Sequence, residues 1–153
     1  MSIEENLTQM GLTLPAPGPP AGNYVGAVRT GNLLFVSGHG PRRPDGNYIT
    51  GKVGRDLNTE QAYEAAQLVM LNCLASVKRE LGDLGRVKRV VKLLGMVNCT
   101  EDFTDHPKVI NGGSDLLVKL YGEAGRHARS AVGMQQLPMN IPVEIEMIVE
   151  VSE

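Results

Sequence analysis

The nine residues "VEIEMIVEV" at 143–151 alternate with a period of two, a spacing that a β-strand matches and a helix does not. Val143, Ile145, Met147, Val149 and Val151 share one face, and Glu144, Glu146, Ile148 and Glu150 share the other. A strand with one wholly apolar face belongs in a sheet that other elements cover on that side. The second face mixes Ile148 with three acids. It is too apolar for plain solvent and too charged for an internal core, so a subunit interface is expected there.

Two segments can supply the cover. The spacing of Ala62, Ala66, Val69, Cys73 and Val77 predicts a helix from Asn58 to about Leu81, with Asn58 and Gln61 as a capping box and Gly82 as the stop. A second helix is predicted from about His106 to Tyr121, weakened by Gly112-Gly113 in its middle. Further strands are read in "NYVGAVRTG" and "NLLFVSGHG", a hairpin turning at Thr30-Gly31-Asn32, where Gly31 supplies positive φ. "RVKRVVKLLGMVNC" reads as a long strand, and residues 127–135 as another. Asp45-Gly46 marks a turn, with a possible short strand after it. The order β-β-(β)-α-β-α-β-β predicts an α+β fold, a mixed sheet with two helices on one face. Ahead of it, residues 1–22 read as a short helix capped by Ser2, with Ile3, Leu7 and Met10 on one side, followed by the extended tether "PAPGPPAG". Residues 23–153 are expected to form a single domain.

Composition excludes several functions. The formal net charge of −2 argues against a general nucleic-acid binder. The basic cluster Arg86, Lys88, Arg89 and Lys92 reads as a solvated strand face or a subunit contact. Cys73 and Cys99 lack a CxxC partner and read as small buried hydrophobes in a reducing compartment. The acidic start has no apolar signal region, and no window approaches 18 apolar residues, so a cytoplasmic protein off the membrane is expected. His39, His106 and His127 show no ligand spacing, so no metal is expected. Ser37 lacks the G-x-S-x-G elbow, and "SGHGP" at 37–41 lacks a phosphate-loop pattern.

Arg129 stands out in its strand. It alternates in phase with Ala131 and Gly133, which leave room beside a guanidinium. Such an arginine can clamp a carboxylate through two parallel donors, or it can bridge a neighbouring acid such as Glu144. Spacing alone leaves both open.

"NYVGAVRTGNLLFVSGHGP", "VVKLLGMVNCTEDF", "VINGGSDLL" and "ARSAVGMQQLPMNIPVEIEMI" together resemble the YjgF/YER057c/UK114 family, also called the Rid or reactive-intermediate-deaminase family, over residues 23–151. The resemblance implies a chorismate-mutase-like fold and a homotrimer with sites between subunits. It also implies cofactor-free hydrolysis of enamines and imines, such as 2-iminopropanoate and 2-iminobutanoate, to 2-keto acids and ammonia. Arg129 matches the family's carboxylate-binding arginine, and Glu144 the glutamate that handles the water or its proton. Tyr24, early in the first strand, Ser37 and Gly38, after the second, and Asn111, opening the second helix, match substrate-binding positions. Ala131 completes that set, standing where deaminating members often carry Cys. Gly113-Ser114 stands where an aromatic is usual. Two rivals follow: a keto-acid-binding regulatory trimer without turnover, and an endoribonuclease, the family's older name, which the acidic balance disfavours.

Overall fold

The structure is a computed structural model that describes residues 1–20 and 22–153. Five strands form one sheet: β1 (Ala27–Thr30), β2 (Leu33–His39), β3 (Val87–Asn98), β4 (Ala128–Met134) and β5 (Val143–Val151), in the order β1-β2-β5-β3-β4. β5 is antiparallel to both β2 and β3, and β4 is parallel to β3. The parallel β3–β4 pair needs a crossover, and the helix α3 (His106–Tyr121) provides it. The helix α2 (Thr59–Leu81) likewise links β2 to β3, and both helices pack on one face of the sheet. The expected mixed sheet with two covering helices is therefore present.

Local chemistry accounts for the boundaries. Asn58 Oδ1 accepts from the Gln61 N–H while the Gln61 side chain accepts from the Asn58 N–H, and Gly82 ends α2 with φ of 82°. Gly31 takes a φ of 58° in the two-residue turn between β1 and β2. The apolar face of β5 is buried throughout, beneath the α2 stripe of Ala62, Ala66, Val69, Cys73 and Val77. Gly112 is buried where α3 crosses α2, and a Cβ there would collide with the Tyr63 carbonyl. Gly112, which weakens α3 locally, is thus what lets the helices approach, while Gly113 lies over the side chains of Ile145 and Met70.

Three expectations need correction. The short strand after Asp45-Gly46 reduces to isolated bridges, Tyr48 with Arg42 and Val53 with Leu57 and Cys99, because tight turns such as Gly46 N–H to Arg43 and Asp56 N–H to Lys52 interrupt the segment. Tyr24 precedes the first strand, which begins at Ala27. Of the predicted face of the N-terminal helix α1 (Ile3–Gln9), Leu7 is buried but Met10 is exposed. α1 docks on the domain: Glu4 accepts from the Leu84 N–H and pairs with Lys78 Nζ at 3.5 Å. Among the described residues, no helix is long and apolar enough to cross a membrane.

Candidate active site

Residues at one end of the sheet surround a cavity of about 260 Å³. β2 reaches it through a bulge: Val36 pairs with Met147 but His39 pairs with Ile145, so β2 holds one residue more than β5 over this interval. A bulge re-aims the residues at it, and here they are Ser37 and Gly38. The Ser37 N–H and Oγ–H donate to the carbonyls of Gly26 and Val25 at 2.9 and 2.6 Å. Gly38, without a side chain, lies directly against the Glu144 carboxylate. His39 is fixed at both nitrogens, Nδ1 against the Ser37 carbonyl and Nε2 against Ser76 Oγ at 2.7 Å. With Nδ1–H donating to the carbonyl, Nε2 accepts from the serine. Burial holds the His39 pKa below its ordinary value, so the ring is neutral at pH 7.

Glu144 is half-buried at the cavity wall, with no hydrogen bond or ion pair to another described residue. Burial, and then the like charge of Glu146, push its carboxyl pKa above the ordinary range. A carboxylate of this kind can take a proton from water and return it to a leaving group. Tyr24, Ser37 and Gly38 line the same cavity, so four of the expected site residues meet there.

Arg129, Asn111 and Ala131 form a second group. Glu144 pairs with Met96, and Met96 with Val132, so these three share the open face of the sheet. Arg129 is out of phase with Val132 and points the other way, toward α3. Its Nη1 donates to Asn111 Oδ1 at 2.8 Å and to Ser114 Oγ at 3.1 Å. Ser114 Oγ lies 2.9 Å from His127 Nε2, whose Nδ1 lies 2.7 Å from the Gly125 carbonyl. Arg129 therefore has no bridge to Glu144, and within one chain the two lie on opposite faces. Ala131 packs against the core, and Gly133 makes room for His106.

Several cavity residues escaped the sequence reading: Arg42, Tyr48, Asn72, Met139 and the prolines at 19 and 20. Arg42 and Tyr48 come from a loop without periodicity. Asn72 lies within the buried stretch of α2, where its Nδ2 donates to the Arg42 carbonyl at 2.9 Å. Met139 adopts a φ of 59°, unusual for a bulky residue, beside Asn140 at 58°.

A family model described as "YjgF/chorismate_mutase-like, putative endoribonuclease" matches residues 4–151. The chain belongs to this YjgF family. The match begins within α1 and ends at the last residue of β5. Protein TCP17 of Trypanosoma cruzi is 43% identical over 151 residues, covering 98% of this chain and 94% of that protein. The crystal structure of a Shewanella oneidensis MR-1 protein with the same endoribonuclease description superposes with a TM-score of 0.95 at 33% identity, covering 99% of this chain and 100% of that one. A relative from Dermatophagoides farinae named 2-iminobutanoate/2-iminopropanoate deaminase is 27% identical over 142 residues, covering 92% of this chain and 95% of that protein.

Proposed function

We propose that the protein hydrolyses reactive imino acids to 2-keto acids and ammonia, working as a homotrimer without a cofactor. The observation that carries this reading is the Glu144 carboxylate, half-buried, without a hydrogen-bond or ion-pair partner among the described residues, and seated on Gly38 in a small cavity. The 27% identity to a named imine deaminase supports it. A protonated imine, C=NH2⁺, is attracted to Glu144, and its carbon is already electrophilic. Glu144 takes a proton as water adds to that carbon and returns it to nitrogen; as the C–N bond breaks, Glu144 takes the hydroxyl proton and passes it to the departing ammonia. One water is consumed, a C=O replaces C=N, and ammonium leaves. Orientation supplies most of what such an intrinsically fast reaction needs.

Arg129 is the second element. Both of its side-chain bonds among the described residues leave from Nη1, so the edge formed by Nε and Nη2 remains for a substrate carboxylate. Because Arg129 and Glu144 face opposite sides of one sheet, a neighbouring copy supplies the arginine in this reading. The open sheet face suits that contact, with Val28, Phe35 and Val132 exposed on it. The test is release of keto acid from enzymatically generated 2-iminopropanoate, above the spontaneous rate, with wild type, Arg129→Ala and Glu144→Gln. Acceleration by wild type alone supports the proposal. Keto-acid binding without acceleration would instead make the protein a binding trimer.

A further inference from the structure

We propose that Arg42 anchors a second acidic group of the substrate in the Glu144 cavity, making imino acids with two carboxylates the preferred class. This rests on the reading above, in which Arg129 holds the α-carboxylate and Glu144 faces the imine. Arg42 is the one permanent cation among the described residues lining the cavity, and Glu144 the one carboxylate.

The Arg42 backbone is tightly held while its charge is not used. Its N–H donates to the Gly40 carbonyl at 3.0 Å, its carbonyl accepts from Asn72 Nδ2, and it bridges to Tyr48. The guanidinium carries five N–H donors. It makes one long bond, Nη1 to the Ala16 carbonyl at 3.4 Å, and no acid lies within ion-pair distance of it among the described residues. By contrast, Arg129 is held by two side chains, and Arg86 by the carbonyls of Leu81 and Ser152 at 3.0 Å each. Gly18 packs against one side of the guanidinium, where a Cβ would lie 3.2 Å from Cζ, Nε and Nη1. A purely structural staple would use its donors; this arginine, which lines the cavity, makes a single long side-chain hydrogen bond among the described residues. A small diacid fits the volume of about 260 Å³, with its cationic nitrogen toward Glu144 and its distal carboxylate toward Arg42.

The keto-acid products provide stable probes. Calorimetric titration with 2-oxoglutarate and with 2-oxobutanoate compares ligands that differ mainly by the second carboxylate. Wild type should bind 2-oxoglutarate at least about tenfold more tightly, the scale of a charge-assisted pair. Arg42→Gln should bring that ratio near one, and Arg42→Lys should keep part of it. Equal affinities in wild type, a ratio that survives Arg42→Gln, or no binding of either acid would overturn the proposal. Should Arg42→Gln fail to fold, the wild-type ratio and Arg42→Lys decide. Failure of the catalytic reading shows separately, as absent imine turnover in a protein that still prefers the diacid.

Discussion

The Glu144 carboxylate occupies the space that a side chain at position 38 would need. Gly38→Ala should therefore displace the carboxylate while leaving the fold intact, since the bulge lies at the sheet's end. Imine turnover should fall by about a hundredfold, the usual consequence of an ångström-scale misplacement. Circular dichroism and keto-acid release on the same sample check this; unchanged turnover would remove Glu144 from the chemistry.

The raised pKa of Glu144 makes stability depend on pH. In the folded chain the proton leaves at higher pH than in the unfolded chain, so stability is full at low pH. It falls as pH rises between the two values. Glu144→Gln has no proton to lose. Its melting temperature should exceed wild type at pH 7, and the gap should close by about pH 4, near the ordinary glutamate pKa. A gap that is constant with pH would mean that glutamine acts through packing alone.

Arg129→Lys tests the clamp. A lysine cannot present two parallel donors, so affinity for 2-oxobutanoate should weaken about ten- to a hundredfold, since bonds to charged groups contribute roughly 1.5–3 kcal/mol each. The melting temperature should change little, because the arginine's own partners, Asn111 and Ser114, can be reached by an ammonium. Unchanged affinity in a stable variant would make Arg129 structural.

Gly112→Ala gains helix propensity but drives a methyl group into the Tyr63 carbonyl. Overpacking should dominate, at about 1–3 kcal/mol, and each kcal/mol lowers the melting temperature by roughly 2–4 °C in a chain of this size. A melting temperature at or above wild type would show that the helices can separate without loss.

Light scattering at micromolar concentration should give about three times the 16.5 kDa chain mass. A monomer would leave Arg129 and Glu144 on opposite sides of the sheet, and the proposed site would have no arginine clamp.

Elements with long periodic patterns were readable from the sequence. The faces of β5, the α2 stripe and the capping box at Asn58 all follow from local spacing. Spacing could not say which side of the sheet Arg129 would face, because that depends on its parallel register with β3. Ala131 and Gly133 read as room for a guanidinium, whereas their small size serves the core and His106. Tyr24 read as strand because it precedes a β-like run. The carbonyls of Val25 and Gly26 instead bind Ser37 at the bulge. Arg42, Asn72 and Glu144 lie far apart in the chain and meet only once the sheet forms.

β5 follows every other strand in the chain, yet it lies at the centre of the sheet, where Leu33 pairs with Glu150 and Val90 with Val149. During synthesis the β1–β2 hairpin and the β3-α3-β4 unit can form early, but each presents a bare inner edge until residues 143–151 emerge. Such edges recruit foreign strands, and pairings between distant segments form slowly. A nascent chain of this protein therefore depends most on this one strand: stalled translation before β5 should yield aggregates rather than a smaller folded domain.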